Sequence, residues 1–384
     1  MITPEKFLNK HYIKNLTLLR ALAAFFVITT HSLRASEVKY SNLDEAGYFL
    51  PINLLDLGTF GVCLFFALSG CTLFISNHSK VNKMQDVAFF YFKRFMRIWP
   101  TFIVSLVIYL LFIEIFRGFY TADKNYWIAR FLNEYNLNDV IKYIFLVFNI
   151  TGPRDLFNGP YWSLPIEFQY YLILPFAMLL IKLKPLKYIT PILISGLLYY
   201  IFSSELIKFD RNDFFKMGYM FFGGVLMSLI YMKLKIKIAS HFFFLSIIIL
   251  TLIAGTIQNN LLIIPKQIPF ISDPLNVLGL LALILVAFAL FCDESKKDFI
   301  LLRMLHQYGE VSYSVYLFHM LFVGLSVILV LHININNYIL KFLFVYILTL
   351  IFSYYFSILS YKLFELPSMR FAQKITDKHH RKVN

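Results

Sequence analysis

Apolar runs of about 18 to 25 residues recur from one end of the chain to the other, and no other feature constrains its fold as strongly. A run of that length lets an α-helix cross about 30 Å of hydrocarbon. In lipid, only a helix or a closed barrel satisfies every backbone N–H and C=O. The strict alternation expected of barrel strands is missing. The sequence therefore predicts an all-α, polytopic membrane bundle of about ten transmembrane helices, forming one integral membrane domain over 1–384. The spans fall at roughly 16–34, 52–76, 98–117, 161–181, 188–206, 214–232, 238–257, 275–292, 310–331 and 338–364. Composition agrees: 59% hydrophobic residues against 15% charged is more apolar surface than a soluble domain of 384 residues can bury.

The net charge of +14 first suggests nucleic acid, but the basic residues sit mostly in short connections between spans. They report topology instead. Lys80, Lys83, Lys93 and Arg94, then Lys182, Lys184 and Lys187, then Lys233, Lys235 and Lys237, and finally Arg370, Lys374, Lys378, Arg381 and Lys382 mark the inner side. By the positive-inside rule both termini are expected in the cytoplasm, with no nucleic-acid partner. Lys6, Lys10 and Lys14 before an apolar run resemble a signal peptide, but the run carries Arg20 and many spans follow, so an uncleaved helix is expected. Cys63, Cys71 and Cys292 lie within or at the ends of spans, in no disulfide or metal spacing. The tail Lys378-His379-His380-Arg381-Lys382 reads as a basic segment near anionic membrane lipid rather than a metal site. No metal is expected, and neither a tandem repeat nor an appended soluble domain is seen. The longest exterior connection, 118–160, contains an apolar stretch, Val140 to Ile150, too short to cross and expected to be interfacial or re-entrant.

Chemistry enters where polar groups interrupt these spans. Arg20 and His31 are eleven residues apart in the first span, which at about 100° per residue accumulates to roughly three turns plus 20° and puts both on one face. They stand about 16 Å apart along the axis. An intramembrane cation costs at least about 2.5 kcal/mol on insertion scales, so it turns toward a bundle interior or a wet cavity, or snorkels to the headgroups. In the second span Gly58, Gly61 and Gly70 read as helix-packing positions, and Ser69 either lines a cavity or back-bonds to its own helix. Lys93, Arg94 and Arg97 share one cationic face, suited either to anchoring or, beside Arg20, to gripping the phosphates of a cytosolic donor. The fourth span opens with Trp162-Ser163-Leu164-Pro165-Ile166-Glu167, placing Glu167 about two turns below the outer surface, where a carboxylate is protonated or paired. Tyr313, Tyr316 and His319 form a polar stripe on the ninth span, and Glu365 is expected to meet the basic cluster as a structural partner. By depth, Arg20, Ser69, Arg94 and Arg97 form an inner tier, and His31, Glu167 and His319 an outer one. Such polarity suits a charged donor held inside and a hydroxyl activated outside, for which histidine is a fitting base.

Arg20 with ten residues before His31, Phe65-Phe66-Ala67-Leu68-Ser69-Gly70, Lys93-Arg94-Phe95-Met96-Arg97-Ile98-Trp99-Pro100, Trp162-Ser163-Leu164-Pro165-Ile166-Glu167, the stretch from Gly309 to His319, and Phe364-Glu365-Leu366-Pro367 together resemble the acyltransferase-three family of membrane proteins. The motifs follow in order from first span to last. The resemblance implies a ten-helix core that O-acylates, most often O-acetylates, cell-surface or exported glycans such as lipopolysaccharide O-antigen or capsule, with acyl-coenzyme A as cytoplasmic donor. It assigns His31 as catalytic base, Arg20 as an essential cation on the same helix, Arg94 and Arg97 as donor-binding, and Glu167 as the family's acidic position. Cys71 departs from the aromatic that commonly follows Ser-Gly, and Lys93 from the usual arginine. Many relatives carry a fused hydrolase-like domain, not seen here, so a separate extracytoplasmic acyl-transfer partner is an open expectation.

The expected protein is thus an O-acetyltransferase of the bacterial inner membrane that uses acetyl-coenzyme A, with a cell-surface glycan or lipid-linked sugar as acceptor. Its expected site comprises His31, Arg20 and Glu167 for catalysis, with Glu167 or another acid orienting His31. Arg94, Arg97 and Ser69 would bind the donor, and Trp162, Tyr313, Tyr316 and His319 the acceptor. A carrier for a lipid-linked sugar or organic acid, using the same buried residues for anion binding and proton relay, is the alternative class.

Overall fold

The computed structural model describes residues 12–36, 51–119, 132–152, 156–203, 213–234, 236–262, 267–268, 270–295, 300–335 and 337–383. Lys6 and Lys10, the connection before residue 132, and the tail side chains from Lys378 onward lie outside the described residues. Among the described residues the fold is helical with no strand, as a bundle that must close its backbone hydrogen bonds within each segment requires.

The first helix, α1 (Lys14–Ala35), is followed by a 3-10 turn, Pro51–Leu55, and α2 (Gly58–Asn77). Helix α3 (Met84–Phe119) runs 36 residues, about 54 Å, so its basic first turns extend past a 30 Å core. It passes through Pro100 without ending, which moves the start of the third helix from the expected 98 back to 84. Next come α4 (Leu137–Ile144), a 3-10 turn Gly159–Trp162, α5 (Ser163–Ile181) and α6 (Ile189–Ser203). The rest comprises α7 (Asp213–Lys233), α8 (Ser240–Gln258), α9 (Pro274–Phe291), a short α10 (Ile300–Glu310), α11 (Ser312–Ile333) and α12 (Tyr338–Ser360). A π-helical turn, Tyr361–Glu365, joins α12 to α13 (Leu366–Val383).

Nine of the described helical segments are long and apolar enough to cross a membrane. The remaining expected span, 188–206, is α6, whose 15 residues reach only about 22 Å. Side chains set several boundaries: Asp273 accepts from Leu275 N ahead of α9, Asn337 accepts from Ile339 N and Leu340 N ahead of α12, and Asn334 ends α11 in the left-handed region at φ 55°.

Close helix contacts rest on small residues. A Cβ on Gly70 would lie 1.9 Å from the Phe221 carbonyl oxygen of α7, and one on Gly224 would lie 2.1 Å from the Ala67 carbonyl oxygen of α2. Backbones of α2 and α7 therefore meet with no room for a methyl group. On α1, a Cβ on Gly61 would lie 2.7 Å from the Ala23 carbonyl oxygen and one on Gly58 would lie 2.9 Å from the Thr30 side chain, so the packing reading of these glycines holds.

Helix α4 changes the depth at which α5 begins. Asn136 and Asp139 form a capping box that starts α4, and Tyr143, fully buried, stacks on Phe148 with centroids 3.9 Å apart. Trp99 Nε1 of α3 donates to the Ile144 carbonyl at 3.0 Å, so this stretch dips to the level of the basic end of α3. It is re-entrant, one of the two expected forms. The chain then reaches Ser163, whose hydroxyl is 2.8 Å from Tyr316 Oη, one turn from the start of α11. Helix α5 thus starts deep within the bundle.

Candidate active site

A cavity lies among α1, α2, α3, α5 and α11, with Arg94 and Arg97 from the basic part of α3 in its wall. It holds about 850 Å³ of space, open solvent included, and is lined by Arg20, Phe65, Ser69, Thr72, Arg94, Arg97, Ser163, Glu167, Tyr171, Ser312, Tyr313 and Tyr316 together with apolar residues. Three guanidinium groups from two helices therefore share one concave surface. Arg20 Nη2 donates to Thr72 Oγ1 at 2.9 Å, and Thr72 in turn donates to the Leu68 carbonyl at 2.7 Å. Arg97 forms an ion pair with Glu365 at 3.2 Å and reaches Met369 Sδ at 2.8 Å. Glu365 is fully buried on the π turn, where Ser314 Oγ donates to its other oxygen at 3.1 Å. The expected meeting of Glu365 with the basic cluster is present.

Glu167 faces this same cavity. Its Oε1 accepts from Ser69 Oγ and Tyr171 Oη. This corrects two expectations: Glu167 belongs to the tier of Ser69 and Arg94, not the outer one, and its described partners are hydroxyls rather than His31. The cause is the re-entrant stretch, which delivers Ser163 to the level of Tyr316, so that two turns along α5 count from mid-bundle and not from the surface. Tyr313 Oη donates to the Ile98 carbonyl at 2.9 Å, and Tyr316 Oη donates to the Pro160 carbonyl at 2.7 Å. Tyr316 also packs edge-on against Phe65, centroids 5.7 Å apart, and these two rings line the cavity on the side toward His31.

His31 is not among the cavity-lining residues. It lies beyond Tyr316, half-buried, with its ring centroid 5.3 Å from that of His319. His319 is fully buried, 5.9 Å from the Tyr316 ring. The outer end of α1 is held by a buried carboxylate: Asp56 accepts from Thr30 Oγ1 at 2.7 Å and pairs with Arg34 at 3.6 Å. Thus Arg20 and His31 share a helix but serve two compartments, an anion-suited chamber and an imidazole pair, with Phe65 and Tyr316 between them. Trp162 and His319, expected to touch the acceptor, do not line the cavity: Trp162 is half-buried in the turn before α5, and His319 has no exposed surface. No group of three or more His, Cys, Asp or Glu converges as a metal site among the described residues.

With this geometry in place, comparison with known families is decisive on one point. A family model described as an acyltransferase domain matches residues 13–358. The chain belongs to acyltransferase family 3. It is an acyltransferase and a multi-pass membrane protein, and the carrier reading falls away with that assignment. No curated protein and no solved structure matches the chain. The matched region begins just before α1 and ends inside α12, so it contains every residue lining the cavity but excludes Glu365 and α13.

In this family 3 acyltransferase the structure adds residues that sequence reasoning passed over. Thr72 lies one turn after Ser69 and holds Arg20; Tyr171 lies one turn after Glu167 and bonds it. Both follow from three- and four-residue spacing on a helix, a signal present in the sequence. Phe65 and Ser163 belong to motifs quoted from the sequence, but their contact with Tyr316 carries no such signal, because Tyr316 comes from a distant helix.

Proposed function

We propose that this acyltransferase moves an acetyl group from acetyl-coenzyme A, at the cytoplasmic face, to a hydroxyl of a cell-surface or exported glycan, or its lipid-linked precursor, at the opposite face. The observation that carries this is the convergence of Arg20, Arg94 and Arg97 on one cavity at the basic end of the bundle. Guanidinium groups fork onto phosphate oxygens, and three of them suit the phosphorylated end of such a donor. The basic connections support a cytoplasmic position for that end and for both termini, in what we take to be a bacterial inner membrane. A pantetheine arm entering beside Glu167 and Ser69 would point its thioester toward Tyr316. His31, on the same helix as Arg20, is the candidate base on the other side of that ring. It would take the proton of a sugar hydroxyl while the oxygen attacks the thioester carbonyl; the C–S bond breaks, and the thiolate leaves and is protonated. In the present conformation Tyr316 is bonded to Pro160 and Ser163, so the reading requires that this contact open during transfer. An extracytoplasmic protein that receives the acetyl group is an outcome the assay below also detects.

The test uses the full chain in lipid nanodiscs with acetyl-labelled coenzyme A and a lipid-linked or surface glycan. Label gained by the glycan, located by NMR on one hydroxyl and lost in His31→Ala, is the expected result. Consumption of donor with no label on the glycan would point to a protein intermediary, and no consumption at all would overturn the reading.

A further inference from the structure

His319 occupies the second turn of α11 with none of its surface exposed. Its Nδ1 lies 2.9 Å from the Tyr316 carbonyl and 3.2 Å from that of Val315. A carbonyl oxygen only accepts, so Nδ1 carries the ring proton and donates it there. A neutral imidazole has one such proton, which leaves Nε2 as a bare acceptor. That Nε2 is buried and has no hydrogen-bond partner. An unsatisfied buried acceptor is destabilising, a cost that an apolar side chain filling the same place would not incur. The ring beside it is His31, tilted by 40° with centroids 5.3 Å apart; the two rings form no hydrogen bond in this structure, but a rotation that aims one ring nitrogen at the other would bring them to about 3 Å, within hydrogen-bond range. Bonds of this kind commonly tighten only when substrate is bound.

We propose that His319 is a positioning residue for His31: its Nε2 accepts a ring N–H of His31, so that the other ring nitrogen of His31 keeps its lone pair for the acceptor hydroxyl. The inference rests on the reading of His31 as the base. An imidazole alone populates two tautomers, and a base is effective when a third group fixes which nitrogen carries the proton and where the ring points. A carboxylate commonly does this, but Glu167 is engaged by Ser69 and Tyr171 in the cavity. A neutral imidazole does the same work without burying a charge in the bundle. The chain of contacts is short. Tyr316, whose side chain closes the cavity, also supplies through its carbonyl the bond that sets the tautomer of His319.

The full chain in nanodiscs, with ¹⁵N-labelled histidine, gives a test that needs neither donor nor acceptor. Signals are assigned by their loss in His31→Asn and His319→Asn. The expected spectrum has His319 protonated at Nδ1 only and His31 in a single tautomer, with two well-separated ring-nitrogen shifts. In His319→Asn the side-chain amide still donates to the Tyr316 carbonyl from the δ position but offers no ε acceptor, so the two His31 shifts move toward an average. His319→Gln restores an acceptor oxygen at the ε position and the single tautomer with it. The same His31 pattern in wild type and His319→Asn, or a His319 protonated at Nε2, overturns the proposal. If His319→Asn does not fold, the unmodified protein decides: an averaged His31 there overturns it equally. In acetyl transfer, His319→Asn should lower kcat by about 100-fold, the scale of oriented general-base catalysis, at unchanged KM for the donor, with most of the loss recovered by His319→Gln. A packing role also favours Gln, the nearer to His in size, but leaves the His31 tautomer unchanged in both variants, so the ring-nitrogen shifts separate the two roles. No transfer by the unmodified protein, with the His31 tautomer fixed, would count against the function proposed above and not against the histidine pair.

Discussion

Arg97 is asked to do two things at once, and the two can be separated. It lines the cavity and it neutralises Glu365, which has no exposed surface. Removing one partner of a buried pair strands the other, at a cost of about 3 kcal/mol, whereas replacing both by apolar groups of similar size is close to neutral. Glu365→Gln should therefore lower the thermal unfolding temperature in detergent clearly, and Arg97→Met with Glu365→Met should recover it. The double variant should still bind acyl donor more weakly than wild type, as read by the KM for acetyl-coenzyme A. Equal stability losses in the single and double variants would refute the pairing argument. At this scale the inner tier was legible: Arg20, Ser69, Arg94 and Arg97 come from three helices, and span direction together with charge places them at one level. The pairing of His31 with His319 was not, because their rings come from helices nearly 300 residues apart in sequence, and no spacing rule spans that distance.

Among the elements, α2 and α7 have the least tolerance. Gly70 faces a backbone carbonyl that no side-chain rotation can move aside, and Ser69, its neighbour, holds Glu167. Gly70→Ala should force the helices apart, reduce the folded yield, and lower transfer even in the fraction that folds. Gly196→Ala on α6, where an added Cβ meets nothing within 4 Å, should leave both unchanged; size-exclusion yield and specific activity measure the contrast. Hydropathy located most of the helices, since the requirement for an apolar run is local. It misplaced Glu167 for an equally definite reason: counting turns from the expected outer surface assumes that α5 starts there. The re-entrant stretch, held by Trp99 donating to the Ile144 carbonyl, is a tertiary feature, and it moves the origin of that count. Helix α3 also starts 14 residues earlier than the apolar run, because its basic turns pack against α13 and the π turn rather than against lipid.

For the molecule as a whole, the separation between chamber and imidazole pair is the central fact. Tyr316 holds that separation through one donated and one further hydroxyl contact. Tyr316→Phe keeps the ring and loses both, so the partition should loosen: release of free coenzyme A in the absence of glycan should rise several-fold, while acyl transfer per donor consumed falls. Unchanged hydrolysis would mean that packing by Phe65 alone closes the cavity. The partition also has an electrical meaning. In the orientation proposed above, a cavity open to the cytoplasm would carry the cytoplasmic potential up to Tyr316, so the membrane voltage would drop mainly across the layer beyond it. In the proposed reaction the acetyl group crosses that layer uncharged, but the proton lost by the sugar ends on the thiol, one elementary charge moved inward. A negative interior favours that movement by up to about 2.3 kcal/mol per 100 mV. In proteoliposomes the rate of the proposed acetylation should climb when a potassium diffusion potential makes the donor side negative and fall when the sign is reversed, so that under the proposed reaction a resting voltage itself becomes a driving force for transfer.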